Sequence, residues 1–68
     1  MKLTLNQQLM LQQAWFERDE PPEFSAPTGM TEGGVTRAVN ALIALGLLTP
    51  DKTITELGEE TFWEIPRI

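Results

Sequence analysis

Residues 31–48, TEGGVTRAVNALIALGLL, decide the fold, because they carry the clearest helical pattern in the chain. Small and apolar residues recur in this stretch at spacings of four, three and four, from Val35 to Gly46. That spacing places them on one face of a helix. Thr31 stands directly before the run and is a good N-cap residue. The pattern therefore predicts a helix from near Thr31 to about Leu45.

The residues before this helix predict two further helices and a tight turn. A first helix, capped by Thr4 or Asn6, is expected to end near Arg18. A second helix within residues 22–29 must be short, because its internal proline lacks an amide hydrogen and crowds the carbonyl four residues earlier. Residues 28–31, TGMT, then indicate the turn of a helix-turn-helix, since the glycine suits a left-handed helix stop.

The residues after the central helix predict a hairpin and a last helix. Two short strands, residues 47–49 and 53–55, flank the turn-forming residues PDK. Thr55 is a suitable N-cap for a final helix over residues 56–65. We therefore expect residues 1–68 to form a single winged helix-turn-helix domain, mainly α, with about four helices and a small two-stranded β-wing.

The composition argues against an enzyme. The chain has no cysteine and no histidine, which excludes disulfides, thiol nucleophiles, the commonest zinc-ligand sets and the commonest general base. Glu56 and Glu60 would share a helix face, but a solvated surface explains such a pair better than catalysis does. We expect no catalytic residue, no cofactor and no metal.

No segment of the sequence is typical of membrane insertion or secretion. The longest apolar run, residues 41–48, is interrupted by a glycine and falls far short of the ~18 to 20 apolar residues of a membrane span. Polar amides follow the first few residues, where a signal peptide needs a continuous apolar stretch. We expect a cytoplasmic protein with no membrane contact.

Several short motifs together resemble the winged helix-turn-helix domain of MarR-type regulators, in a minimal form without the dimerisation helices. The motifs are PEFSA at residues 22–26, GMT at 29–31, VTRAVN at 35–40, LGLL at 45–48 and TELG at 55–58. The resemblance implies a transcriptional regulator that binds double-stranded DNA, with the third helix in the major groove. The positions that it implies face DNA are Thr31, Gly33, Gly34, Thr36, Arg37 and Asn40 on that helix, and Lys52 at the tip of the wing.

The side chains at these positions allow both a functional and an ordinary structural interpretation. Arg37 can reach a phosphate or a guanine edge, and Asn40 can pair with an adenine edge. They can equally be a solvated charge and a surface amide. Gly33 and Gly34 favour close approach to a phosphate backbone or a partner protein, although the first turn of a helix also tolerates glycine. The five aromatic residues are expected to lie in the core rather than to stack on bases.

The charge leaves two hypotheses open. Ten acidic residues against five basic ones give a net charge of −5, the wrong sign for a surface that attracts nucleic acid. At most about four phosphate contacts per subunit are available, so DNA binding would need a homodimer or a second protein. The alternative is an acidic domain adapted to bind proteins, such as a phage or mobile-element accessory or inhibitor protein, or a nucleic-acid mimic. The four cations within possible reach of DNA are Lys2, Arg37, Lys52 and Arg67.

Overall fold

The computed structural model describes residues 2–20, 23–27 and 29–65, and three helices lie within these ranges. Helix α1 spans Leu5–Phe16, α2 spans Glu32–Ala44 and α3 spans Glu56–Glu64. Helix α1 packs against both of the others. The prediction of about four helices with a two-stranded wing is therefore wrong for the part of the chain that is described.

Threonine caps explain where each helix begins. Thr4, Thr31 and Thr55 have extended backbone, and each hydroxyl accepts a hydrogen bond from an amide three residues later. At Thr4 the Gln7 side chain also accepts from the cap amide, which completes a capping box. The predicted caps Thr31 and Thr55 are confirmed, Thr4 is the cap of the two alternatives Thr4 and Asn6, and the central helix runs over almost the predicted residues. Helix α1 ends at Phe16 rather than near Arg18.

The short second helix predicted within residues 22–29 is absent from the described part of that stretch. Residues 23–27 are not helical. The Gln13 side chain of α1 holds them, donating to the Ser25 carbonyl at 2.9 Å and accepting from the Ser25 amide at 3.1 Å. The amide of Glu23 donates to the Glu17 carboxylate. Backbone groups that a helix would use internally are thus bonded to side chains of α1 and of the residue that follows it.

The predicted turn before α2 is only partly described, because Thr28 lies outside the described residues. Gly29 has a φ of 92°, and the Met30 amide donates to the Pro27 carbonyl at 2.9 Å. The left-handed glycine of the prediction is therefore confirmed. It leads into α2 from residues 23–27, which are not helical, so the first helix of the predicted helix-turn-helix is absent from the described residues.

The predicted β-wing is reduced to one antiparallel bridge between Leu48 and Ile54. The reason lies at both outer ends of the hairpin. The amides of Leu47 and Leu48 still donate to the Leu42 carbonyl of α2, and Thr55 already caps α3. Too few residues remain for a ladder, and the loop between them closes as a tight turn instead.

The core lies where the three helices and the bridge meet. Leu42 and Leu47 are completely buried, and Gly58 of α3 lies so close to the hairpin that an added Cβ would collide with the Leu47 carbonyl oxygen. The other buried apolar residues are Leu3, Met10, Leu11, Ala14, Val35, Ala38, Val39, Leu48 and Phe62. Within the described ranges, no helix is long and apolar enough to cross a bilayer.

Candidate functional site

Three of the residues predicted to face DNA lie in or next to the N-terminal turn of α2, and the structure explains two of them. The Thr31 hydroxyl accepts from the Gly34 amide at 3.0 Å. A Cβ on Gly34 would lie 3.2 Å from Cγ of Met30 and 3.4 Å from the Thr31 hydroxyl, so this glycine permits the tight cap. Gly33 is exposed, and a Cβ there would meet only the Thr31 hydroxyl, at 3.8 Å. Close packing around the cap thus accounts for Gly34 but not for Gly33.

The remaining predicted residues divide into two places on either side of α2. Thr36 and Asn40 are exposed and line one shallow groove together with Lys52. Arg37 is also exposed but lines a separate depression beside Asn6 at the start of α1. The structure therefore brings three of the predicted residues together and places the predicted guanine reader on a different flank.

The charges around α2 do not form a positive patch. Arg37 and Lys52 are the cations that line the two depressions, and Glu23 shares the groove of Lys52. Exposed Lys2 lies two residues before Thr4, which lines the depression of Arg37. Glu32 stands exposed in the first turn of the helix, and Asp51 precedes the lysine in the hairpin turn. Each depression is thus lined by a single cation, and neither is lined by a cluster of them. Arg67, one of the cations considered for DNA contact, lies outside the described residues.

A second surface stands out where the C-terminal ends of α1 and α3 meet. Four aromatic side chains pack together there, and we call Trp15, Phe16, Phe62 and Trp63 the aromatic cluster. Trp15 and Phe62 stack with ring centroids 4.6 Å apart, and Trp63 meets Trp15 edge-on at 5.3 Å. Phe16 meets Trp15 edge-on at 5.4 Å. The cluster joins the two helices through ring contacts.

The expectation that all five aromatic residues are core residues is only partly correct. Phe62 is buried, and Trp15 and Phe24 are half-buried. Phe16 is 65% exposed and Trp63 is 59% exposed. The helical repeat carries a signal for this, since Phe16 lies two residues after buried Ala14 and therefore about 200° around the helix from it. The sequence-based interpretation treated the aromatic residues as one group and missed that signal.

The aromatic cluster already binds one cation from its own chain. The guanidinium carbon of Arg18 lies 4.1 Å from the ring centroid of Trp15. The same guanidinium donates to the Trp15 carbonyl at 2.9 Å. A guanidinium stacked on an indole is a cation–π contact, so this surface has the geometry and the electron density to accept arginine.

Acidic side chains lie beside the cluster on α3. Glu56, Glu60 and Glu64 follow one another at intervals of four along α3 and are all exposed, which places them in a stripe beside Trp63. Neither α1 nor α3 has a basic residue in its last turn. The C-terminal end of a helix carries a partial negative charge, and at α1 the Arg18 guanidinium bonds to the Trp15 carbonyl there. The end of α3 and its carboxylates therefore supply the negative field beside the cluster.

The carboxylates are not neutralised within the described part of the chain, where no ion pair joins them to a cation. Among residues 2–20, 23–27 and 29–65, no group of acidic side chains is arranged to hold a metal ion.

The fold and these surfaces define a small three-helix protein with an acidic, aromatic face. Comparison with known proteins adds no relative: no family model, no curated protein and no solved structure matches the chain.

Proposed function

We propose that this protein is an acidic protein-binding module, located in the cytoplasm, whose partner is a basic protein. The observation that carries the proposal is the uncompensated charge. All ten acidic residues lie in the described ranges; Glu17 and Glu59 are half-buried and the other eight are exposed. Such a surface repels nucleic acid and membranes of negative charge, and it attracts basic protein surfaces.

Electrostatic attraction of this kind mainly raises the association rate and selects the partner. A basic surface that normally holds phosphates fits the same distribution of charge. The proposal therefore includes proteins that bind nucleic acid among the partners, with this chain occupying their basic surface. It assigns no catalytic step to any residue.

The test begins with purification of the native complex and identification of the bound protein. The recombinant partner is then titrated calorimetrically against the wild type and the double variant Glu60→Gln with Glu64→Gln. The control is Glu32→Gln, in the first turn of α2. We expect weaker binding at higher salt and at least about tenfold weaker binding by the double variant, with the control unchanged. Binding that is insensitive to both salt and the double variant contradicts the proposal.

DNA binding through α2 is the second candidate, and one observation favours it. Thr36, Asn40 and Lys52 are exposed and line the same groove. Two cations on this side nevertheless give a salt slope of only about −2, which is typical of weak binding. Anisotropy of a labelled duplex at low salt separates the candidates: tight binding that Lys52→Ala or Arg37→Ala abolishes supports DNA, and its absence supports the acidic module.

A further inference from the structure

The exposed members of the aromatic cluster lie on both sides of its stacked centre. Phe16 and Trp63 each contact Trp15 edge-on, and each also contacts Phe62, at 6.4 Å and 5.3 Å between centroids. More than half of each side chain remains exposed. Exposed aromatic side chains held in place by other rings contribute much of the binding energy in protein interfaces.

The charges beside the cluster decide what kind of partner fits it. Glu60 precedes Trp63 by three residues and Glu64 follows it, while Glu17 follows Phe16. The negative end of α3 points to the same region without a basic residue in its last turn, whereas the Arg18 guanidinium already bonds to a last-turn carbonyl of α1. An apolar surface bordered by carboxylates is complementary to bulky apolar side chains flanked by cations.

A second copy of the chain is a poor fit for the same reason. A two-fold dimer through this surface would bring the Glu56, Glu60 and Glu64 stripes of both copies to one interface. Like charges at close range in an interface cost several kcal/mol. The aromatic area alone would favour pairing, but the acidic margin opposes it.

The contact with Arg18 shows that the aromatic cluster accepts a guanidinium. Its guanidinium stacks on the Trp15 ring at 4.1 Å. Arginine is better suited than lysine to such stacking, because its planar, weakly hydrated guanidinium loses little solvation on an aromatic face. The exposed rings of Phe16 and Trp63 offer the same chemistry to an arginine from outside.

We propose that the aromatic cluster is the docking seat for a segment of the partner that combines arginine with bulky apolar side chains. Phe16 and Trp63 receive the apolar groups and stack on guanidinium, and Glu17, Glu60 and Glu64 pair with the remaining cations. This inference rests on the proposed function and adds the place of binding and the chemistry of the bound segment.

The experiment titrates the full chain calorimetrically with two synthetic amphipathic peptides, one of leucine and arginine and one in which glutamate replaces every arginine. The tested variants are Phe16→Ser and Trp63→Gln. Leu5→Ser is the matched control, because Leu5 is also exposed but lies at the other end of α1. Circular dichroism and thermal melts establish that each variant is folded before its binding is compared.

We expect the leucine–arginine peptide to bind the wild type and the control, and to bind each aromatic variant at least about tenfold more weakly. The glutamate peptide should not bind. Equal binding of all variants, binding of both peptides alike, or no binding of the arginine peptide overturns the docking seat. Sedimentation equilibrium adds one further result against it, namely a homodimer that Trp63→Gln dissociates.

Failure of this inference is distinguishable from failure of the proposed function. A natural partner that is weakened by Glu60→Gln with Glu64→Gln, but unaffected by Phe16→Ser and Trp63→Gln, removes the docking seat and leaves the acidic module intact. A natural partner that is insensitive to the carboxylate variants removes both.

Discussion

Trp15 and Phe62 lie face to face, with 4.6 Å between their ring centroids and 8° between their planes. This contact joins the first and last helices of the chain. Phe62 is buried, so its truncation removes both burial and the stack. We expect Phe62→Ala to lower the free energy of unfolding by about 3 to 5 kcal/mol, enough to unfold much of so small a domain.

Urea denaturation followed by circular dichroism measures this change. Phe16→Ala is the matched control, because Phe16 belongs to the same cluster but is mostly exposed. Its expected cost is below about 1 kcal/mol. Equal costs for the two variants would mean that the stack does not hold α3 against α1.

Gly58 provides a test of the close packing between α3 and the hairpin. Alanine is the better helix former by about 1 kcal/mol, so propensity alone predicts that Gly58→Ala stabilises the protein. The added Cβ would collide with the Leu47 carbonyl oxygen and lie 2.8 Å from the Ile54 side chain. We therefore expect a net loss of about 1 to 3 kcal/mol.

Gly33→Ala is the control for that substitution, since it lies in α2 and its Cβ would meet only the Thr31 hydroxyl, at an ordinary contact distance of 3.8 Å. Thermal melts should show this variant unchanged or stabilised by up to about 1 kcal/mol. A stabilised Gly58→Ala would show that α3 can move away from the hairpin.

Gln13 is expected to hold residues 23–27 in place. Its side chain makes both hydrogen bonds to the Ser25 backbone, and removing it leaves an amide and a carbonyl of that segment without this partner. Gln13→Ala should cost about 1 to 2 kcal/mol and increase cleavage of the segment by a protease in limited digestion. Gln12→Ala, one residue earlier at an exposed position, should leave the digestion pattern unchanged.

The sequence predicts the helices of this protein better than their connections, and the reason is physical. Local signals set where the helices begin: the Thr4, Thr31 and Thr55 hydroxyls each accept from an amide three residues later. The segment around Ser25 depends on a side chain twelve residues away in the sequence, which no local pattern contains. The wing stays at one bridge because α3 begins directly after Thr55, whose amide pairs with the Leu47 carbonyl while its hydroxyl caps the helix.

The candidate site was harder to predict for a similar reason. The sequence correctly places Thr36, Arg37 and Asn40 on the exposed side of α2, because the helical repeat determines which residues face out. It does not predict that Lys52 lies beside Asn40 while Arg37 lies by α1, since that depends on how the hairpin folds back. The aromatic cluster depends on the packing of α1 with α3, elements separated by most of the chain.

We expect the acidic stripe of α3 to lower the stability of the free protein and to strengthen binding of the partner. Glu60 and Glu64 are like charges four residues apart, and Glu64 lies at the negative end of the helix. Neutralising both should stabilise the free protein by about 0.5 to 1.5 kcal/mol, measured by urea denaturation at low salt. The gain should shrink as salt is added, because ions screen exposed charges.

Glu32→Gln should instead be slightly destabilising, because Glu32 lies in the first turn of α2, at its positive end. If the Glu60→Gln and Glu64→Gln chain is more stable yet binds its partner less well, the carboxylates serve binding at the expense of the fold. A less stable double variant would mean that the stripe has a structural role. Damage to the fold would then explain the loss of binding without any charged partner.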